Sequence, residues 1–165
     1  MPNRLSNRLM VFAGLLAAPV GTAVNAAKPP MQPVNADARL PRLTRFFENH
    51  NCPLRDHAQL FLDVADRNHL DWRLLPSISV VESGGGKQFR NNNVLGWANC
   101  EQNFPSVTAG IRTVAQRLSR SHLYRHKSLD GILTTYNPRP EYSMKVKSLM
   151  RSFQFIQIPA EAAAN

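Results

Sequence analysis

A carboxylate closes an apolar stretch in this sequence. Leu74-Leu75-Pro76-Ser77-Ile78-Ser79-Val80-Val81 runs into Glu82-Ser83, then three glycines and Lys87, then Asn91-Asn92-Asn93 and Trp97. Gly-Gly-Gly-Lys is not a phosphate loop, because that fingerprint needs glycine where Val81 stands and a hydroxyl residue where Gln88 stands. On a helix, Leu75, Ile78 and Glu82 fall on one stripe, so the carboxyl shares the face of the buried side chains. Burial and the negative end of the helix dipole both oppose its charge and push its pKa up. A carboxyl kept protonated near neutrality serves as a general acid. The competing reading pairs Glu82 with Lys87 or with the backbone of its own turn.

The residues around it suit a bulky polar ligand. Gly84-Gly85-Gly86 removes side chains beside the carboxyl, which lets a ligand or backbone approach and points to a cleft. Asparagine amides together with Trp97 match the hydroxyl, acetamido and apolar faces of sugars. An asparagine run is also ordinary turn chemistry.

Other signals are weaker. His122 and His126 stand four apart, but no acid accompanies them, so no metal site and no cofactor is expected. Ser83 lacks the full pair of glycines of a nucleophile elbow, with Val81 at the first position, and an assigned histidine, and is expected to hydrogen-bond the helix end or Glu82. Arg112, Arg117, Arg120, Arg125 and Lys127 make a basic stretch around Tyr124.

These side chains need a scaffold, and the hydrophobic spacing predicts a mainly α one. Residues 40–49 carry Leu40, Leu43, Phe46 and Phe47 at helical spacing, and residues 56–68 repeat the pattern. A third helix, capped by Asp71, holds Pro76 in its first turn and stops at Gly84. Ser106 caps a fourth; residues 129–136 form a fifth, stopped by Asn137-Pro138; residues 141–155 form a sixth with Tyr142, Val146, Leu149, Met150 and Phe153 inward. Residues 84–105 are the one long irregular stretch, and loops of that length in compact domains are usually functional or mobile.

The chain has 165 residues, enough for one domain. Arg4 and Arg8 precede an apolar run that ends in Val24-Asn25-Ala26, the pattern of an export signal over residues 1–26. The run is short and interrupted by Pro19 and Gly21, so no stable membrane span is expected after cleavage. A proline-rich linker follows over residues 27–39, then the domain over residues 40–159 and a tail over residues 160–165. The formal charge is +9, of which the leader carries two arginines and no acid. In an exported protein such a balance favours acidic wall polymer over nucleic acid. Cys52 and Cys100 are the only cysteines, and outside the cytosol they are expected to form one disulfide, worth roughly 4 kcal/mol on the chain-entropy estimate. The alternative is two unpaired buried thiols.

The segment Asp71-Trp72-Arg73-Leu74-Leu75-Pro76-Ser77-Ile78-Ser79-Val80-Val81-Glu82-Ser83 resembles the catalytic helix of the bacterial glucosaminidase family and of the related lytic transglycosylases. Asn93-Val94-Leu95-Gly96-Trp97 resembles the segment that follows in glucosaminidases, and Thr135-Tyr136-Asn137-Pro138 the Tyr-Asn motif of transglycosylases. The resemblance implies a lysozyme-like fold with the long loop beside its active-site cleft. It further implies cleavage of the β-1,4 bonds of peptidoglycan in the periplasm or outside the cell, with Glu82 protonating the leaving oxygen. Ser83, Asn93, Gly96, Trp97, Tyr136 and Asn137 match motif positions and are the expected substrate-binding set. Arg139 and Lys145, close in sequence to Tyr136, are placed to meet peptide-stem carboxylates. Glucosaminidases often use a second acid, and the only acid between Glu82 and Asp130 is Glu101, which makes it the candidate partner. Without a partner, one carboxyl serves as acid and then base while the substrate's acetamide or 6-hydroxyl attacks. A non-catalytic wall-binding module of the same fold is the rival from another class.

Overall fold

The computed structural model describes residues 37–158. The expected leader, most of the proline-rich linker and the tail lie outside the described residues. Six α-helices follow one another: α1 (Arg39–Asn49), α2 (Ala58–Asn68), α3 (Leu74–Ser83), α4 (Val107–Arg120), α5 (Leu129–Tyr136) and α6 (Pro140–Ser152). Short 3₁₀ turns at Pro53–His57 and Phe153–Phe155 precede α2 and extend α6. The domain is mainly helical, with no strand among the described residues. No helix among them is long and apolar enough to cross a membrane.

The spacing anticipated these elements closely. Leu43, Phe46 and Phe47 bury the inner stripe of α1, and Phe61, Leu62, Val64 and Ala65 that of α2. Helix α3 is different. Its residues 74–79 are buried all round, including Ser77 and Ser79, which makes it the axis of the domain. It packs on α6 and α2, while α4 packs on α2 and α5 on α6. Pro76 sits at the third helical position, where its missing N–H has no intrahelical partner to lose. Gly84 ends the helix with φ 62°, the left-handed closure that glycine adopts without strain.

Two capping expectations came out differently. Ser106 caps α4, accepting from the Ala109 amide at 3.1 Å. Asp71 does not cap α3; it accepts from the Arg73 amide at 2.9 Å and holds the Arg73 guanidinium, so it closes the turn that leads into the helix. Phe153 stacks on Phe46 with ring centroids 4.1 Å apart, tying the C-terminal turn to α1.

The candidate active site

Glu82 is in the last turn of α3, where the stripe pattern put it. Its carboxyl lies at a pocket of about 510 Å³, lined also by Gly96, Trp97, Tyr124, Tyr136 and Asn137. Burial pushes its pKa above the ordinary glutamate value, and a contact with the Tyr142 hydroxyl opposes that in part. Lys87 does not neutralise it. The Lys87 ammonium donates to the His50 carbonyl at 2.8 Å, and no ion pair among the described residues involves Glu82.

Tyr142, on α6, was read from the sequence only as a core residue. Its hydroxyl is buried without a partner in good hydrogen-bond geometry, yet lies near enough to Glu82 for each to shift the other's ionisation. Burial first, and the Glu82 charge second, keep the Tyr142 phenol protonated, so it remains a donor facing the carboxyl. A tyrosine on the buried stripe of α6 was the available signal, because an interior phenol needs a polar neighbour.

Gly96 explains how the loop reaches the acid. Its φ is 68°, a left-handed conformation that glycine adopts without strain, and a Cβ there would collide with the Glu82 carboxylate and force it to shift. The triple glycine has another purpose than the sequence suggested. A Cβ on Gly85 would meet Cys52 Sγ at 2.1 Å and one on Gly86 would meet Leu54 Cγ at 2.9 Å. Those glycines therefore admit the segment after α1, anchored by the Leu54 amide donating to the Gly85 carbonyl at 3.1 Å, and do not clear space for a ligand.

The asparagines are also structural. Asn91 donates to the Cys100 carbonyl at 2.9 Å and Asn92 to the Phe104 carbonyl at 2.8 Å. Asn93, 1% exposed, donates to the Trp97 carbonyl at 2.8 Å and accepts from the Trp97 amide at 2.9 Å. Three side-chain amides thus replace regular secondary structure in holding the loop. Ser83 is buried too, with Oγ 2.8 Å from the Val94 carbonyl and 2.9 Å from the Ser79 carbonyl, and it accepts from the Gly86 amide. Ser83 and Asn93 brace the site without lining the pocket.

Trp97, Tyr136 and Asn137 do line it. Trp97 packs against Tyr124 and Tyr136 with ring centroids 5.7 and 5.6 Å away, and Arg117 lies over its ring at 5.6 Å. The Tyr136 hydroxyl donates to the Leu95 carbonyl, which joins α5 to the loop, and burial keeps it protonated. Residues 98–100 all have left-handed φ, between 50° and 63°, a strained run at the pocket wall.

The remaining expectations separate from the pocket. Glu101 is exposed and does not line it, so Glu82 is the one carboxyl among the described lining residues. Cys52 and Cys100, the pair expected to form a disulfide, are both free thiols in this structure. Cys52 Sγ packs beneath Gly85, whereas Cys100 lines the Glu82 pocket, so the two serve different surroundings. His122 and His126 share no helix, because α4 ends at Arg120.

The arrangement presents one half-buried carboxyl, an aromatic wall and a turn whose Asn137 amide oxygen accepts from the Arg139 amide at 3.1 Å. Compared with known proteins, the chain matches no family model, no curated sequence and no solved structure.

Proposed function

We propose that this chain is an exported, lysozyme-like enzyme that cuts β-1,4 glycosidic bonds between the amino sugars of peptidoglycan, with Glu82 as general acid. The observation that carries the reading is a half-buried carboxyl, its pKa raised by burial, facing a pocket walled by Trp97 and Tyr136. Aromatic faces pack against pyranose rings, and Asn137 offers an amide to hydroxyl or acetamido groups. The apolar N-terminal run after Arg4 and Arg8 supports a periplasmic or secreted location, and the reaction needs no cofactor.

Hydrolysis with two carboxylates requires a partner about 5 Å or about 6.5–9.5 Å from the acid. Exposed Glu101 does not line the pocket, which favours completion by the substrate itself. Glu82 gives its proton to the departing glycosidic oxygen. The sugar's 6-hydroxyl then attacks the anomeric carbon and returns its proton to the Glu82 carboxylate, leaving a 1,6-anhydro end. This is lytic transglycosylation, and no water is consumed.

The test is digestion of purified peptidoglycan by the parent and by Glu82→Gln, with fragments identified by mass spectrometry. Anhydro-muropeptides from the parent alone support the reading in this form. Reducing-end sugars would assign hydrolysis instead, and the sugar at the new end would name the bond. Absence of product from both proteins, with retained wall binding, would replace the enzyme by a binding module.

A further inference from the structure

A second concavity, of about 340 Å³, lies where the ends of α2 and α4 meet the turn before α5. Arg67, Arg120, Arg125 and Lys127 line it, together with His69 and His126. No carboxylate is among its described lining residues, and none of these four permanent cations forms an ion pair among the described residues. Basic residues at helix C-termini often do no more than complement the helix dipole. Here the magnitudes differ: two helix ends supply roughly one negative charge in total, against four full positive ones. The excess is left for an anion.

The pocket shares a wall with the Glu82 site. Tyr124 lines both, and Lys127 of one donates to Thr135 Oγ1 of the other. Its floor is partly apolar, from Leu70, Leu118 and Ile132. A uniformly charged phosphate backbone has no use for such a floor, whereas a short branch with carboxylates and aliphatic carbons matches both features.

We infer that this pocket binds the acidic peptide branch of the glycan strand whose sugars lie against Glu82. The inference rests on the proposed function for the identity of the strand, and it assigns Arg120 and Arg125 as the carboxylate-binding residues.

Binding, not turnover, tests it. The full chain carrying Glu82→Gln is titrated at fixed ionic strength with peptide-bearing glycan strands, with the same strands stripped of peptide, and with the free acidic peptide. The titrations are repeated with Arg120→Gln and Arg125→Gln added, after thermal melts establish that this variant folds. Peptide-bearing strands should bind roughly tenfold tighter than stripped ones, and the arginine substitutions should erase that advantage and the binding of free peptide while leaving stripped strands unaffected. Equal weakening of every ligand, no weakening of any, or displacement of the peptide by duplex DNA of matched charge would overturn the inference and leave a non-specific polyanion surface. Should stripped strands fail to bind while free peptide still binds through the arginines, the glycan-cleaving reading falls and the acidic-peptide site stands.

Discussion

Glu82 and Tyr142 form a pair whose ionisation can be tested directly. General acid catalysis by one side chain contributes about 10²- to 10⁴-fold, so Glu82→Gln should lose at least that much peptidoglycan cleavage while staying folded. The stability effect has a definite sign. A carboxyl whose pKa is raised on folding binds its proton more tightly in the native state, so stability falls as pH climbs from the unfolded value through the raised native one. Glu82→Gln has no proton to lose. It should melt higher than the parent above that window and at a similar temperature below it, as thermal denaturation at acidic and neutral pH would register. Cleavage by the parent should decline on the alkaline side as Glu82 deprotonates. Tyr142→Phe removes the contact that holds the Glu82 pKa down, so that alkaline limb should move to higher pH in a rate profile. A limb that stays put or moves down would show that the phenol does not act on the carboxyl.

The 84–105 loop is held as an element by contacts that secondary structure would otherwise supply. Its approach to Glu82 depends on Gly96. Gly96→Ala adds a left-handed alanine, which costs roughly 1–2 kcal/mol, and a Cβ that collides with the acid, so both a lower melting temperature and loss of cleavage are expected. Ser106→Ala is the contrasting case. It removes only the cap of α4, for a loss of about 1 kcal/mol in denaturant titrations, with cleavage retained where the domain is folded. Helix spans were legible beforehand because burying one face imposes a 3.6-residue period on the sequence. The partners of Asn91, Asn92 and Asn93 were not, because each amide reaches a carbonyl 4–12 residues further along a stretch with no period.

At the scale of the whole described domain, Phe153 joins the C-terminal turn to α1. Phe153 is 2% exposed and stacks on Phe46, beside Trp72 at a centroid distance of 4.9 Å. Phe153→Ala should therefore cost about 3–5 kcal/mol, measured as a lower chemical-denaturation midpoint with an unchanged slope. The ion pairs do less. All seven lie on partly or well exposed side chains, where such pairs contribute about 0–1 kcal/mol each. None of them involves Arg67, Arg120, Arg125 or Lys127, which line the pocket that shares Tyr124 with the Glu82 site.

By itself the sequence determined the six helices, the stop at Gly84, the cap at Ser106 and the place of Glu82 on a buried stripe. Each follows from local period or from the chemistry of one or two neighbouring residues. Only the tertiary structure decided what the glycines and asparagines are for, that Tyr142 faces the acid, and that Glu101 does not line the pocket. Those outcomes depend on which side chains meet across tens of residues, a matter of packing that no local pattern encodes.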